Sequence, residues 1–139
     1  MPYSQVFTDH LTNPRNVGEL ENASVVAEET NPVCGDRLRL YLKINGGTIE
    51  AAQFLAYGCP PTLACGSALT ELIQGKTIRA AEQLTRAQVV EAVGGLPLRK
   101  QHAAALAIET LRAAIEKQAP GASSPSYLGD SGPAQSIDQ

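Results

Sequence analysis

Three cysteines, Cys34, Cys59 and Cys65, are the residues of this 139-residue chain whose chemistry is most distinctive. An odd number of cysteines argues against a disulfide framework, and in a reducing compartment such thiols are free, catalytic or metal-binding. Each can also be a small buried apolar residue, which is a common role for a free cysteine. The residues around each cysteine therefore decide between packing and chemistry.

Cys34 lies in the segment Asn31-Pro32-Val33-Cys34-Gly35-Asp36, whose proline and glycine predict an irregular turn. A thiol at the tip of a loop contributes little to packing. Thiolate and carboxylate are both metal ligands, and only Gly35 separates Cys34 from Asp36. The pair therefore indicates a metal site, although Asp36 by itself would fit equally well as a turn or capping residue.

Cys59 stands between a predicted strand and a predicted helix, in Gly58-Cys59-Pro60-Pro61. Free N–H groups and the helix dipole at such a position stabilise a thiolate, so we expect a lowered pKa and a nucleophile or metal ligand. Cys65 lies further along the same helix, on a different face, among the small residues Ala64, Gly66 and Ser67. These neighbours favour a buried packing role for Cys65.

A histidine, His102, lies at the start of the last predicted helix, where the helix dipole does not stabilise a charged ring. The neutral imidazole that this position favours can bind a metal, although a single histidine is more often structural or merely exposed. His10, on the first predicted helix, is assigned no metal role.

The elements that must position these residues are a helix, a sheet and a further group of helices. Apolar spacing between Tyr3 and Leu11 predicts the first helix, and strands are predicted at 23–28, 37–44 and 49–57. The last two strands form a hairpin through Asn45-Gly46-Gly47, so their far ends meet and would bring Cys34 near Cys59. Helices are predicted after Pro60, at 78–84, after the N-cap Thr85 and from about 99 to 117. The fold class is therefore α+β, with an antiparallel sheet and helices packed on one face.

All of the predicted elements fall within residues 1–118, which we expect to form one domain. Residues 119–139 are rich in Gly, Ser and Pro and cannot bury enough apolar surface to offset their ordering entropy, so they are predicted to be a flexible tail. The net charge is −3 with no basic run, which argues against nucleic-acid binding. No apolar stretch approaches the roughly 20 residues that span a bilayer, and the polar N-terminus is unlike a signal peptide. We therefore expect a cytoplasmic protein without a membrane role.

Four segments together resemble the IscU/NifU-type family of iron–sulfur cluster assembly scaffolds. They are SQVFTDHLTNPRNVGE from Ser4 to Glu19, NPVCGD from Asn31 to Asp36, the region from Phe54 to Thr77, and the region from Gly95 to His102. The resemblance implies a three-stranded antiparallel sheet backed by helices, a cluster site at one exposed end, and a scaffold rather than an enzyme. It also implies a [2Fe-2S] cluster or a zinc ion, a cysteine desulfurase as sulfur donor, and carrier or apo-proteins as acceptors.

The resemblance implies a ligand set as well, and this chain departs from it at one position. The family places ligands at Cys34, Cys59 and a third cysteine directly after His102, with Asp36 beside them. The residue after His102 is Ala103, whose methyl group cannot bind a metal. The remaining ligand is therefore left open between His102, which adjoins the vacant position, and Cys65, which has the softer donor atom, with an external thiol or water as the third alternative.

A second departure concerns a partner. The family's Leu-Pro-Pro-Val-Lys element, which a dedicated Hsp70-type chaperone recognises, reads Leu96-Pro97-Leu98-Arg99-Lys100 here. The resemblance therefore does not carry that chaperone over to this chain.

Three functions are compatible with the sequence. The first is a scaffold that assembles and transfers an iron–sulfur cluster with an altered ligand set. The second is a zinc-binding or regulatory module that keeps the scaffold fold without building clusters. The third, a thiol enzyme that uses Cys59, ranks last because the sequence places no general base beside that cysteine.

Overall fold

The computed structural model describes residues 4–118, and the structural statements below concern that part of the chain. Its elements follow in the order α1 (Gln5–Thr12), β1 (Val25–Thr30), β2 (Arg37–Asn45), β3 (Thr48–Tyr57), α2 (Pro60–Ile73), α3 (Ile78–Glu82), α4 (Arg86–Ala92) and α5 (His102–Gln118). The predicted tail at 119–139 and residue Tyr3 lie outside the described residues.

The three strands form one antiparallel sheet in the order β1-β2-β3. Alternation along β2 buries Leu38, Leu40 and Leu42, whereas Arg39 on the opposite face stays partly exposed and pairs with Glu28 of β1. The predicted hairpin and the α+β class with a three-stranded antiparallel sheet are thus confirmed.

The helices cover the apolar face of the sheet. α2 packs on β3 while α5 packs on β1 and β2, and these contacts close one core of fully buried side chains. The helical members of that core include Leu69, Ile73, Leu106 and Leu111. Among the helices described, none is long and apolar enough to cross a membrane.

Local signals explain most of the helix boundaries. The predicted N-cap Thr85 is confirmed, and it forms a capping box with Gln88 at the start of α4. The last helix begins at His102 rather than near Arg99. The residues before it form a 3₁₀ turn at Leu98–Lys100, in which the N–H of Lys100 donates to the carbonyl of Pro97.

The first strand is also displaced from its predicted bounds of 23–28, because its pairing with β2 extends from Val25 to Thr30, which lies opposite Arg37. Ser24 stays outside the strand, although its hydroxyl accepts a hydrogen bond from the N–H of Ile44.

Candidate metal and cluster site

The open end of the β2–β3 hairpin brings two of the candidate residues into contact. Arg37 pairs with Tyr57, so Asp36 lies just before one strand while Cys59 follows the other by two residues. Cys59 is the N-cap residue of α2, whose first two positions are prolines. The site therefore forms where a strand pair ends and a helix begins.

The carboxylate of Asp36 is buried at the centre of this junction. Its Oδ1 accepts the N–H of Cys59 at 3.2 Å, and its Oδ2 accepts the thiol of Cys59 at 2.8 Å and the hydroxyl of Thr62 at 2.8 Å. Burial alone would raise the pKa of Asp36, but hydrogen bonds from Cys59, Thr62 and Cys34 hold it below the ordinary value. The carboxylate is therefore charged and available to a cation at neutral pH.

Gly58 makes room for that carboxylate. Its φ angle of +134° is rarely adopted by residues with a side chain, and a Cβ at this position would lie 2.1 Å from Oδ1 of Asp36. The approach of the Asp36 side chain to the backbone between β3 and α2 thus depends on a glycine at this position.

Three potential ligands converge around Asp36. Sγ of Cys34, a carboxylate oxygen of Asp36 and a ring nitrogen of His102 all lie within 4.8 Å of one another. In the part of the chain described, this is the one group of three or more such side chains close enough to share a metal ion. Thiolate, carboxylate and imidazole together form a donor set that zinc and iron accept in proteins.

His102 is oriented as a metal ligand would be. Its Nδ1 lies 3.1 Å from the carbonyl oxygen of Arg99, and because a carbonyl only accepts, Nδ1 carries the proton. Nε2 then offers its lone pair toward Asp36, whose Oδ2 is 3.7 Å away. This nitrogen is buried and has no hydrogen-bond partner among the described residues, which is costly unless a ligand satisfies it. The residues present therefore fit a bound metal.

The expected lowering of the Cys59 pKa is wrong. Burial and the negative carboxylate of Asp36, to which the thiol donates a hydrogen bond, raise the pKa of Cys59 above its ordinary value. The helix N-terminus does not offset these two effects. Cys59 adjoins the group of three through Asp36, although its sulfur is not one of the atoms that lie within 4.8 Å of one another.

Cys65 lies in the core, as its small neighbours indicated. The residue is 0% exposed, and burial raises the pKa of its thiol to about 12. The group around Asp36 includes His102 and does not include Cys65. Ala103, where the family resemblance implies a third cysteine, is also buried.

Sequence reasoning missed two residues that shape the site, Gly58 and Thr62. A signal for Thr62 is present, since the third residue after an N-cap lies in the first helical turn near the cap. A signal for Gly58 is its place between a strand and a helix, where a positive φ angle is common for glycine.

A small α+β domain with thiolate, carboxylate and imidazole groups at one end belongs to a class of metal-binding and cluster-binding domains. Its family is defined by sequence: the family model described as NifU-like N terminal domain matches residues 2–120. The chain therefore belongs to the NifU-like N-terminal domain family, as its four resembling segments predicted.

Similar proteins include named cluster scaffolds. The chain is 46% identical over 113 residues to the iron–sulfur cluster assembly scaffold protein IscU 1 of Archaeoglobus fulgidus, covering 81% of this chain and 74% of that protein. It is 44% identical over 84 residues to the zinc-dependent sulfurtransferase SufU of Bacillus subtilis, covering 60% and 56%.

A solved structure agrees with the fold. It is the crystal structure of a SUF-system protein from Fervidobacterium islandicum AW-1, described as a candidate iron–sulfur cluster assembly scaffold. The TM-score is 0.67 at 26% identity, with 81% of this chain and 96% of that chain covered.

Proposed function

We propose that this chain is a scaffold that holds an iron–sulfur cluster through Cys34, Asp36, Cys59 and His102 and passes it to an acceptor protein. The observation that carries the proposal is the buried, unpartnered Nε2 of His102, grouped with Cys34 and Asp36. In this ligand set the imidazole of His102 replaces the thiolate that Ala103 cannot supply. Mixed thiolate and imidazole ligation of iron–sulfur clusters is chemically sound.

The same donor set favours release as well as binding. Carboxylate and imidazole are harder ligands than thiolate and suit a soft cluster site less well. Cys34 is exposed at the mouth of the site, where an acceptor thiol can reach it. A [2Fe-2S] cluster, which needs four protein ligands, would use both cysteines, and the thiol of Cys59 would then give up its hydrogen bond to Asp36.

Exposed apolar side chains near the site support protein partners. Val33 precedes Cys34 and is 94% exposed, and Leu98 lies in the turn before His102 and is 86% exposed. Large apolar residues at the rim of a functional site are suited to protein contact. We propose a cysteine desulfurase as the sulfur donor at this end and apo-proteins or carriers as later occupants of the same surface.

The second candidate function is a zinc-binding or regulatory module that builds no clusters. The compact grouping of Cys34, Asp36 and His102 within 4.8 Å favours it, because three close donors with Cys59 adjacent suit one four-coordinate ion. The relative from Bacillus subtilis is named a zinc-dependent sulfurtransferase, which makes zinc a reasonable resting metal here.

An enzymatic role for Cys59 remains the least supported. Contrary to the sequence-based objection, a carboxylate does lie beside the thiol, since Asp36 accepts its hydrogen bond. The pKa of Asp36 is lowered and that of Cys59 is raised, so this pair is poorly matched for proton removal at neutral pH. We therefore propose that the chain is not itself an enzyme.

Anaerobic reconstitution with iron and sulfide, followed by absorption spectroscopy and metal analysis, tests the proposal. The wild-type chain should develop cluster absorption, whereas Cys34→Ser and Cys59→Ser should each lose it. Cys65→Ser is the matched control, because it removes a thiol from the core and should retain the cluster. Zinc binding without cluster formation would favour the second function, and loss only in Cys65→Ser would move the site to the core cysteine.

A further inference from the structure

Thr62 is a buried hydroxyl residue in the first turn of α2 that no part of the proposed ligand set uses. It is 1% exposed, and its Oγ1 lies 2.8 Å from Oδ2 of Asp36 and 3.5 Å from Sγ of Cys59. A hydroxyl has a single proton, and a charged carboxylate can only accept. The Thr62 proton therefore points at Asp36, and the sulfur of Cys59 receives no proton from Thr62.

Two protons thus converge on one carboxylate oxygen. Oδ2 accepts from the thiol of Cys59 and from the hydroxyl of Thr62, and Oδ1 accepts the backbone N–H of Cys59. The hydrogen bond from the Cys59 thiol is lost on ligation, because Cys59 must become a thiolate to bind a metal or cluster. Cys34 must likewise lose its proton to bind a metal, so the Thr62 hydroxyl is a side-chain donor to Asp36 that ligation leaves in place.

Gly58 lies on the other side of the Asp36 carboxylate and limits its position. The position that a Cβ of Gly58 would take lies 2.1 Å from Oδ1 of Asp36, so the carboxylate occupies a slot between this glycine and Thr62. Within that slot the hydroxyl of Thr62 at Oδ2 and the backbone N–H of Cys59 at Oδ1 together set the rotation of the carboxylate about its Cβ–Cγ bond. That rotation decides which lone pair faces Cys34 and His102.

We propose that Thr62 is a positioning residue for metal binding, acting through Asp36. The inference rests on the proposed function, since it takes Asp36 to be a ligand. Hydrogen-bond partners of ligating carboxylates commonly contribute about 10–100-fold to metal affinity. Thr62 has this relation to Asp36, and its Oγ1 also lies 3.5 Å from the sulfur of Cys59.

The test is an anaerobic titration with Co²⁺, whose absorption bands report both the thiolate ligands and the coordination geometry. Thr62→Val removes the hydroxyl and keeps the shape, and it should weaken Co²⁺ binding by about 10–100-fold and alter the visible bands. Thr62→Ser restores the hydroxyl without the methyl group and should return affinity and spectrum to wild type. Thermal unfolding of each metal-free variant establishes that it is folded, and Thr62→Ala replaces the valine variant if that one does not fold.

Thr110→Val is the matched control. Thr110 is equally buried, and its hydroxyl donates to the carbonyl of Leu106 within α5, away from the site. The same substitution there should leave the Co²⁺ titration unchanged. A Thr62→Val protein with wild-type affinity and spectrum would overturn the inference, and so would a Thr62→Ser protein as weak as the valine variant. Failure of the wild-type chain to bind Co²⁺ would instead overturn the proposed function on which the inference rests.

Discussion

The two histidines of this chain differ in what their rings leave unpaired. Nδ1 of His10 lies 2.7 Å from the hydroxyl of Ser67, and its Nε2 lies 3.8 Å from a carboxylate oxygen of Glu71. His102 bonds through Nδ1 to the Arg99 carbonyl, whereas its Nε2 is buried without a hydrogen-bond partner in the described chain. One ring is therefore satisfied by protein groups, and the other has an unpaired nitrogen and lies beside the side chains of Cys34 and Asp36.

Their proton positions differ for the same reason. The hydroxyl oxygen of Ser67 already accepts the N–H of Arg15, so its own proton is available to Nδ1 of His10. This arrangement favours a proton on Nε2 of His10, facing Glu71, whereas in His102 the proton is on Nδ1. On the proposed assignment of His102 as a ligand, the feature that separates the two histidines is the nitrogen that the neighbours of His102 leave free.

Replacing each histidine with alanine should distinguish the two roles, and the difference in zinc affinity between the variants should be the largest effect predicted. On the proposed ligand set, His102→Ala removes one of four donors and should weaken zinc binding by more than about 100-fold, because outer-shell losses alone reach that size. His10→Ala should leave zinc affinity within about twofold, since the partners given for its ring, Ser67 and Glu71, are not members of the group around Asp36. Competition with a chromophoric chelator measures both values. Wild-type affinity in His102→Ala would show that solvent or another thiol completes the site.

In the metal-free protein the reverse is expected: His10→Ala should lower the free energy of unfolding more than His102→Ala does. His10→Ala opens a cavity beside α2 and removes the partner of the Ser67 hydroxyl, so the free energy of unfolding should fall by about 1–3 kcal/mol. His102→Ala removes a nitrogen that already lacks a partner and one exposed hydrogen bond to the Arg99 carbonyl, and it should cost about 1 kcal/mol or less. Urea denaturation of both variants gives the comparison. Equal losses would mean that His102 is also a structural residue.

Sequence patterns predicted the parts of the molecule that depend on local chemistry. The alternation along β2 and the glycine turn predicted the hairpin, which was expected to bring Cys34 near Cys59; in the structure Asp36 is the residue that bonds to the Cys59 thiol. The N-cap Thr85 was predictable because the interaction is local: its partner Gln88 lies only three residues away. The vacant ligand position at Ala103 was evident only through the family resemblance.

Features that depend on side chains from distant segments were not predictable. The raised pKa of Cys59 comes from burial and from a carboxylate 23 residues earlier in the chain, neither of which a rule about helix N-termini includes. The network around His10 joins α1 to α2 across 57 residues of sequence. Polarity and spacing identify a residue that needs a partner but do not identify the partner when it lies in another element.

Acidification should destabilise the metal-free protein through His10. Burial, followed by the charge of Arg15, lowers the pKa of His10 below 6.5, although Glu71 and Asp9 oppose this shift. Below pH 6.5 the unfolded chain binds a proton on this histidine before the folded chain does, so stability falls as the pH falls toward the lowered folded value. One proton limits the slope to about 1.4 kcal/mol per pH unit.

The measurement is the difference in unfolding free energy between wild type and His10→Gln from pH 8 to pH 5. Glutamine does not titrate, and subtraction cancels the contribution of every group whose environment the substitution leaves unchanged. The stability advantage of wild type should be constant above pH 6.5 and should shrink below it. A difference that stays constant across the whole range would show that His10 titrates alike in the folded and unfolded states.

The smallest expected effect concerns Glu71, which faces the His10 ring and also lies 3.4 Å from Nε of Arg15. Its charge raises the pKa of His10 against the larger effects of burial and Arg15. Glu71→Gln should therefore lower the His10 pKa further and extend the acid-sensitive range to lower pH. The shift should be modest because Glu71 is 47% exposed, and an exposed pair contributes only about 0.2–1 kcal/mol.

Titration of the His10 ring by NMR measures this shift without depending on unfolding. Glu50→Gln is the matched control, because Glu50 is 51% exposed and pairs with Lys43 on the β2–β3 hairpin. It removes the same surface charge and should leave the His10 midpoint unchanged. Salt at about 1 M shortens the screening length to about 3 Å, so the His10 midpoints of Glu71→Gln and wild type should become equal. An identical His10 midpoint in the two proteins at low salt would mean that hydrogen bonding to Ser67 and burial, rather than the charge of Glu71, determine the protonation of this histidine.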